Sequence, residues 1–465
     1  MPESAQPAPD DAKTPLDRLL SIFTDVRAGE ATTALLLTAN AFLILAAYYV
    51  IRPLRDALLL PVRVGLPGGG VLTGPEIKSY TGAILAGLFI FIVPLYGIVA
   101  SKVNRIRLIN GVTLFFVSTL GMFVVLGQAG VPPTSLGLPF FLWIGIFNLM
   151  VVAQFWSFAN DVYTPDQGKR LFAILGFGAS VGALAGSSIT SVLLAPLGEF
   201  NLMLVSGGIL LACLALTNFV NVREKSRTSD AGRKVEAEQP LAADGGFQLV
   251  LRHKYLLLIG LLTLAAQLVN TNGNYILGET LTQMARAQVA GGTVGGLSER
   301  QIIGSYMAGT DFWQNLLGVA IQLFLVARIF KYMGVGGALL VMPTISLLSY
   351  GLFAAAPVLA LIRVAKIAEN ATDYSLQNTV RRALFLPTSR EAKYKALQAV
   401  ETFFWRAGDM LSGVATLLIV QILGWGVRSY AAVNVGIVVV WILIAIALSR
   451  EHRRLTASEP AAAAA

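Results

Sequence analysis

Cysteine and histidine are almost missing from this chain, which has one cysteine, Cys213, and two histidines, His253 and His452, among 465 residues. A single cysteine excludes an internal disulfide framework and a cysteine metal cluster. Two histidines set beside basic residues at helix ends supply no zinc ligand set, and no cofactor is expected. Charge is scarce as well: 13% of residues are charged and 55% hydrophobic, about half the charged share of a soluble domain. Walker A, HExxH and GxSxG sequences are lacking, so phosphate-loop, metalloprotease and serine-hydrolase readings have no minimum parts. No paired catalytic constellation stands out, and an enzyme is not expected.

Long apolar runs are what the sequence has. Runs of about 20 residues, enough to cross a hydrocarbon layer as helix, recur at 31–54, 79–101, 108–128, 137–161, 170–195, 200–221, 255–277, 304–329, 334–354, 356–381, 393–423 and 428–449. Closed barrels would show short alternating strands instead. The expected fold class is an all-α membrane protein with twelve transmembrane helices. Residues 1–13 are rich in Pro, Ala and Asp, lack the basic start and apolar core of a signal peptide, and read as a disordered tail. Over 14–30, Leu16, Leu19, Leu20, Phe23 and Val26 keep helical spacing, which predicts an amphipathic helix on the membrane surface.

Lys and Arg test the count, since short cytoplasmic loops collect them. They fall after the second, fourth, sixth, eighth and tenth spans and in the final tail, and are missing after the third, fifth and ninth. Both termini are therefore expected in the cytoplasm, in an inner membrane. The link after the first span breaks the pattern with Arg52, Arg55, Arg63 and Lys78. A polar stretch at 222–247 divides six-helix halves at 31–221 and 248–450, and 451–465 reads as a second disordered tail. By analogy, two six-helix halves describe the major-facilitator architecture, with a substrate site between halves at mid-membrane.

The formal charge of +9 gathers beside apolar runs rather than along a soluble face, so anionic ligands and orientation explain it better than nucleic acid. Ionisable groups inside spans mark water-filled paths or partners. Arg363, Lys366, Asn370, Asp373, Tyr374, Gln377 and Arg381 share one face of the tenth span; they line a cavity, or they snorkel and pair internally, as Lys366 with Glu369 would. Glu401, Trp405 and Asp409 keep similar spacing in the eleventh, where Arg406 either neutralises Asp409 across one turn or serves transport. The seventh span ends in Gln267, Asn270, Asn272, Asn274 and Glu279, with Gly273 and Gly278 predicted to interrupt it; helix-to-helix hydrogen bonding is the alternative. Asp311 lies in the eighth. In the first, Asn40, Tyr48, Arg52 and Arg55 are in helical register, compensated by an anionic substrate, or by Asp56 and lipid phosphates. Gly178, Gly182 and Gly186 recur at every fourth place, a signal for close helix packing.

Several segments together resemble the nucleotide (ATP/ADP) exchange transporters of plastids and intracellular bacteria. They are Tyr49-Val-Ile-Arg-Pro-Leu-Arg-Asp56, Phe155-Trp-Ser-Phe-Ala-Asn160 with Lys169-Arg170-Leu-Phe172, and Tyr374-Ser-Leu376 with Leu386-Pro387 and Lys393-Tyr-Lys395. The resemblance implies a major-facilitator-like carrier exchanging nucleotides through charged side chains in several helices. Arg55 stands where the family usually has the lysine of its Lys-Asp pair, and Glu279 falls near the family's acidic residue in the seventh span. Two positions depart from the pattern: Gln167 replaces an acidic residue, and Asp409 an expected lysine.

The site expected from these readings comprises Asn40, Tyr48, Arg52, Arg55, Asn274, Glu279, Asp311, Arg363, Lys366, Asn370, Asp373, Tyr374, Gln377, Arg381, Glu401 and Trp405. Arginine suits phosphate because it stays charged and binds it bidentately. A cavity of uncompensated cations would favour exchange of anions over net flux. The expected partners are a nucleotide such as ATP or ADP, or another organic anion, and the lipid bilayer, with no nucleic acid and no obligate protein partner. Open alternatives are a carrier for another metabolite, proton-coupled through a carboxylate, and a membrane scaffold or sensor that moves nothing.

Overall fold

The computed structural model of the chain describes residues 14–20, 26–27, 29–67, 69–163, 165–227, 246–293, 295–388 and 396–462. These form two compact units, one of residues 1–55, 95–234 and 307–309, the other of 56–94, 235–306 and 310–465. Residues 56–94, which the sequence reading assigns to the first half, thus gather with the second unit. The predicted tail at 1–13 and most of the predicted linker lie outside the described residues.

Long helices build the first unit: α1 (Pro15–Leu20), most of α2 (Ala31–Leu59), α4 (Arg105–Gln128), α5 (Pro133–Val162) and α6 (Pro165–Arg227), with the last residues of α3 (Gly74–Lys102). Inside α6, Gly198 has φ 76°, a left-handed value that glycine tolerates, and it divides the 63-residue element into two helices. The three-glycine series does what its spacing predicts. A Cβ at Gly178 would lie 2.7 Å from the Thr38 carbonyl oxygen, and Cβ atoms at Gly182 and Gly186 would collide with those of Phe42 and Ala46. Helix α2 therefore lies backbone to backbone against α6, and two hydroxyls exploit the approach: Thr190 donates to Val50 O at 2.8 Å and Ser206 to Ala47 O at 3.0 Å. Across the unit, Phe116, Phe140, Trp143 and Phe147 stack into a buried aromatic column.

The predicted amphipathic helix over 14–30 is shorter than expected. Helix α1 is described from Pro15 to Leu20, residues 21–25 and 28 lie outside the described residues, Val26 and Arg27 are not helical, and the chain turns at Gly29, whose φ is 82°. Asp17 explains the turn, because its carboxylate accepts from the N–H groups of Thr14, Gly29 and Ala31 and from the Thr14 hydroxyl, folding α1 against the start of α2. Burial acts to raise the Asp17 carboxyl, but these hydrogen bonds together outweigh it and hold it down, at about 2.

The second unit holds the rest of α3, then α7 (Gly246–Arg252), α8 (Lys254–Ala290), α9 (Glu299–Phe324), α10 (Val326–Ala355), α11 (Leu359–Thr372), α12 (Asn378–Leu384), α13 (Leu397–Ala399), α14 (Trp405–Thr416) and α15 (Val427–Ala462). Single π-helical turns join several of them, at Asp373–Gln377, Val400–Phe404 and Leu417–Ile422. An antiparallel ribbon, β1 (Arg63–Gly65) with β2 (Val71–Thr73), occupies the link that the sequence reading left without structure. The expected interruption of α8 does not occur, since the helix runs unbroken through Gly273 and Gly278. Both glycines instead admit neighbours: a Cβ at Gly273 would strike the Tyr350 hydroxyl, and one at Gly278 would press on Leu60 at 3.3 Å. The predicted tail at 451–465 is also corrected, because α15 continues as helix to Ala462 through residues such as Glu451, Arg453, Arg454 and Leu455 that favour helix.

Among the described residues, eight helices are long and apolar enough to cross a membrane, one of them the 55-residue stretch Arg170–Glu224 that Gly198 divides. The path from α11 to α12 is not among them, because Arg363, Lys366, Glu369, Asp373 and Arg381 remove its hydropathy.

Two outcomes follow for stability. Gly182→Val should overpack the α2–α6 contact, cost roughly 1–3 kcal/mol and lower the thermal melting point in detergent, whereas Gly176→Val, at a site with open space beside it, should not. Asp17→Asn should lower the melting point near neutral pH. Because the folded carboxyl titrates at about 2 against an ordinary 3.8, its stabilisation is complete above the ordinary value and lost as pH falls through the folded one. The gap between wild type and variant should close over that window.

Candidate functional site

The polar stripe of the tenth span is continuous in three dimensions. Helix α11, the π turn Asp373–Gln377 and α12 form one path, and the extra residue of the π turn re-aims the side chains after it. At its centre Lys366 is fully buried. Its ammonium has three donors and three acceptors: Glu369 Oε2 at 3.1 Å, Asn270 Oδ1 at 2.7 Å and the Asn270 carbonyl oxygen at 3.2 Å. The hydroxyl of Tyr350, on α10, lies 3.0 Å from the same Glu369 oxygen and 3.1 Å from Val269 O, and donates to one of them at a time. The other carboxylate oxygen, Oε1, is buried without a hydrogen-bond partner among the described residues. Gly273 creates the space in which Tyr350 and Lys366 meet α8.

Two further cations lie on the same path, Arg363 one turn before Lys366 and Arg381 several turns after it. Arg363 lies over the Tyr306 ring at 4.3 Å and donates to the Thr310 hydroxyl at 3.1 Å. Asp311 and Gln314, next on that face of α9, are buried. Arg381 faces Asp373 at 3.7 Å and lies over the Trp405 ring at 4.6 Å, so α12, the π turn and α14 meet through one guanidinium. Asn370 and Gln377 are buried on the same path, and both amide atoms of Gln377 lack a partner among the described residues. Tyr374 is 46% exposed and Glu401 is exposed, so these two point away from the cluster that Lys366, Asp373 and Arg381 form.

A second polar layer lies toward the end of α8. Glu279 accepts from Gln283 at 2.8 Å and lies 3.5 Å from the Thr73 hydroxyl on the ribbon, and Asn274 is half-buried a turn earlier. Asp56, the acid of the Arg-Asp pair, is bound by Lys78 at 2.6 Å. Asp409 accepts from Gln267 at 2.7 Å and Thr271 at 2.8 Å, with Arg406 at 3.4 Å. The i,i+3 pairings of Lys366 with Glu369 and of Arg406 with Asp409 are therefore both formed.

In the first unit, Tyr48 stacks on Phe147, Arg52 lies over Tyr49 at 5.2 Å and Arg55 over Phe141 at 4.6 Å. Asn40 is buried, donates to Thr217 at 2.6 Å and accepts from the Cys213 thiol at 3.0 Å. Asn40, Cys213 and Thr217 border a small cavity lined also by Thr113, Phe155 and Gln154. Gln154, 5% exposed, has both amide atoms without a partner among the described residues. The sequence reading passed over it, although an amide just before Phe155-Trp-Ser-Phe was visible. Glu30, at the end of the turn that Asp17 makes, takes two bonds from Arg170 and one from Gln167, all at 3.0 Å. Burial would raise its carboxyl, but those partners hold it below its ordinary value.

The chain is similar along nearly its whole length to bacterial carriers. It is 24% identical to ADP,ATP carrier protein 1 of Chlamydia pneumoniae, with 94% of each chain covered. To ADP,ATP carrier protein 1 of Chlamydia trachomatis it is 23% identical over 94% of this chain and 92% of that one. No family model matches. Among solved structures, the nucleoside transporter NupG superposes with a TM-score of 0.61 at 14% identity, covering 90% of this chain and 98% of that one. A bacterial homologue of the lysosomal transporter Spinster, inward-facing and unoccupied, gives 0.54 at 15% identity over 91% and 97%. The all-α, major-facilitator-like fold expected from the sequence is the fold of this chain.

The central pair makes a quantitative prediction. Lys366→Met strands Glu369 as a buried charge and should cost about 3–5 kcal/mol, read as a fall in thermal melting in detergent. The double variant Lys366→Met/Glu369→Leu should recover most of it. A double variant no more stable than the single one would mean that the two side chains do not compensate each other.

Proposed function

We propose that this membrane carrier, a relative of the bacterial ADP,ATP carriers, exchanges nucleotides such as ATP and ADP across an inner membrane by alternating access. The observation that carries the proposal is the series of cations on one continuous helical path, half-buried Arg363 and buried Lys366 and Arg381, in a chain matched to carriers over 94% of its length. Membrane-embedded charge is expensive enough that such a series marks a route for a charged solute. Phosphate suits arginine and lysine, which stay charged and bind it through charge-assisted hydrogen bonds. Both termini lie in the cytoplasm in this reading, from the placement of Lys and Arg.

The residues proposed to hold substrate fall into two groups. In the first unit these are Arg52, Arg55, Tyr48 and Asn40; in the second they are Arg363, Lys366, Asn370, Asp373, Gln377, Arg381 and Trp405, with Asn274, Glu279 and Asp311 on adjoining helices. Tyr374 and Glu401, exposed as they stand, serve as outer contacts. A second reading, a carrier for another organic anion, draws on one observation: Asp409 has acceptor geometry toward Gln267 and Thr271, where the resemblance leads one to expect a lysine.

Uptake of labelled ADP and ATP into proteoliposomes separates the readings. Preloading with unlabelled ADP should accelerate uptake, and Arg55→Ala and Arg363→Ala should each raise the apparent KM about tenfold or more, the effect of losing one charge-assisted hydrogen bond. Transport of a different organic anion alone would favour the second reading. Folded protein that moves no solute would favour a scaffold or sensor.

A further inference from the structure

Lys366 has no donor to spare. Two of its three hydrogen bonds go to the neutral acceptors of Asn270, and the third, to Glu369, is the only one that also neutralises its charge. A phosphate arriving at this ammonium must therefore displace a partner. Glu369 is the one built to leave. It sits on the same helix at i,i+3, it is held through a single oxygen, and its second oxygen has no partner among the described residues. Tyr350 stands ready to keep the displaced carboxylate, since its hydroxyl already lies 3.0 Å from the oxygen that Lys366 would release. The asparagine contacts meanwhile keep the ammonium in place.

We infer that Glu369 is a resident stand-in for the substrate's phosphate: it occupies Lys366 when the carrier is empty and yields it when substrate binds. The inference rests on the nucleotide reading above and deepens it. A lone ammonium buried in hydrocarbon would hold an empty carrier in one state, which would make exchange obligatory. With Glu369 in place the empty site is neutral. Asp373 does the same for Arg381 at 3.7 Å, one turn further along. The groups around the pair are Asp373 and Arg381 on its own path, Tyr350 on α10, Asn270 on α8, and Tyr430 and Asn434 on α15; Asp373 interacts with Lys366 at longer range while pairing with Arg381, and Glu369 is the carboxylate in ion-pair contact with Lys366 among the described residues. The empty carrier can therefore return, and net flux accompanies exchange.

Glu369→Gln tests this, because glutamine keeps the shape and the acceptor but loses the charge that competes with phosphate. In proteoliposomes preloaded with labelled ADP, efflux is measured into medium with and without unlabelled ADP. For the variant, the ratio of net efflux to exchange should fall by roughly tenfold, while the apparent KM for ADP should fall too, as a competitor has gone. A structural pair alone would move KM the other way. An unchanged ratio, or a raised KM, overturns the inference. Should Glu369→Gln not fold, Lys366→Met/Glu369→Leu decides: it should retain net efflux per exchange event at the wild-type ratio with a KM raised roughly tenfold, and an unchanged KM overturns the inference. Wild-type protein that moves no nucleotide would sink the nucleotide reading itself, an outcome separate from any result on the variants.

Discussion

A charge placed in hydrocarbon must find a partner within a few ångströms, and the second unit is organised by that requirement. Lys366 meets Glu369, Arg381 meets Asp373, Arg406 meets Asp409 and Lys78 meets Asp56. Three of these pairs join residues within two helical turns of one another, so the helix that carries a cation also carries its counter-ion. The cost of desolvating both members exceeds what a surface pair returns. Such pairs are weak evidence of stability, and two of the four lie on the single path from α11 to α12.

Close approach of backbones is the second constraint, and it serves both units. In the first, three glycines of α6 let α2 lie against it so closely that Thr190 and Ser206 reach carbonyls of the neighbouring helix. In the second, Gly273 does for a buried polar cluster what those glycines do for packing. Without a side chain there, the Tyr350 hydroxyl and the Lys366 ammonium can meet α8, where the backbone and amide of Asn270 complete the coordination. A glycine read from sequence as a break is here an opening for someone else's polar group.

Local spacing carried most of what was legible. Apolar runs marked the helices, the i,i+4 glycines predicted the α2–α6 contact, and i,i+3 spacing offered the pairings Lys366 with Glu369 and Arg406 with Asp409 as alternatives. Partners distant in sequence were not legible. Asn270 lies 96 residues from Lys366, and nothing in periodicity brings the two together. Tyr350 lies in an apolar run, where spacing gives no sign of its hydrogen bond to Glu369. The π turn at Asp373–Gln377 was invisible because every residue in it also suits an α-helix, and the ribbon at 63–73 was hidden by strands of three residues, too short to alternate. The amphipathic reading of 14–30 failed for a different reason: periodicity extended past a turn that Asp17 imposes through backbone hydrogen bonds.

The two departures from the carrier pattern show how far substitution at a single position reaches. Gln167 donates to Glu30, which Arg170 already engages with both guanidinium nitrogens. An acid at 167 would set a second carboxylate against Glu30 and lose the donor, so glutamine here belongs with Glu30 rather than with a substrate. Asp409 is the more consequential case. Its carboxylate accepts from a glutamine amide and a threonine hydroxyl on α8 as well as from Arg406. A lysine has only donors and could not accept the Gln267 amide. The neighbourhood is thus matched to an acid, and Arg406, one turn earlier, is its counter-ion. Arg406 and Asp409 offset each other across one turn, so the pair adds no net charge to this part of the helix, and the acid holds α14 to α8 through the Gln267 amide and the Thr271 hydroxyl.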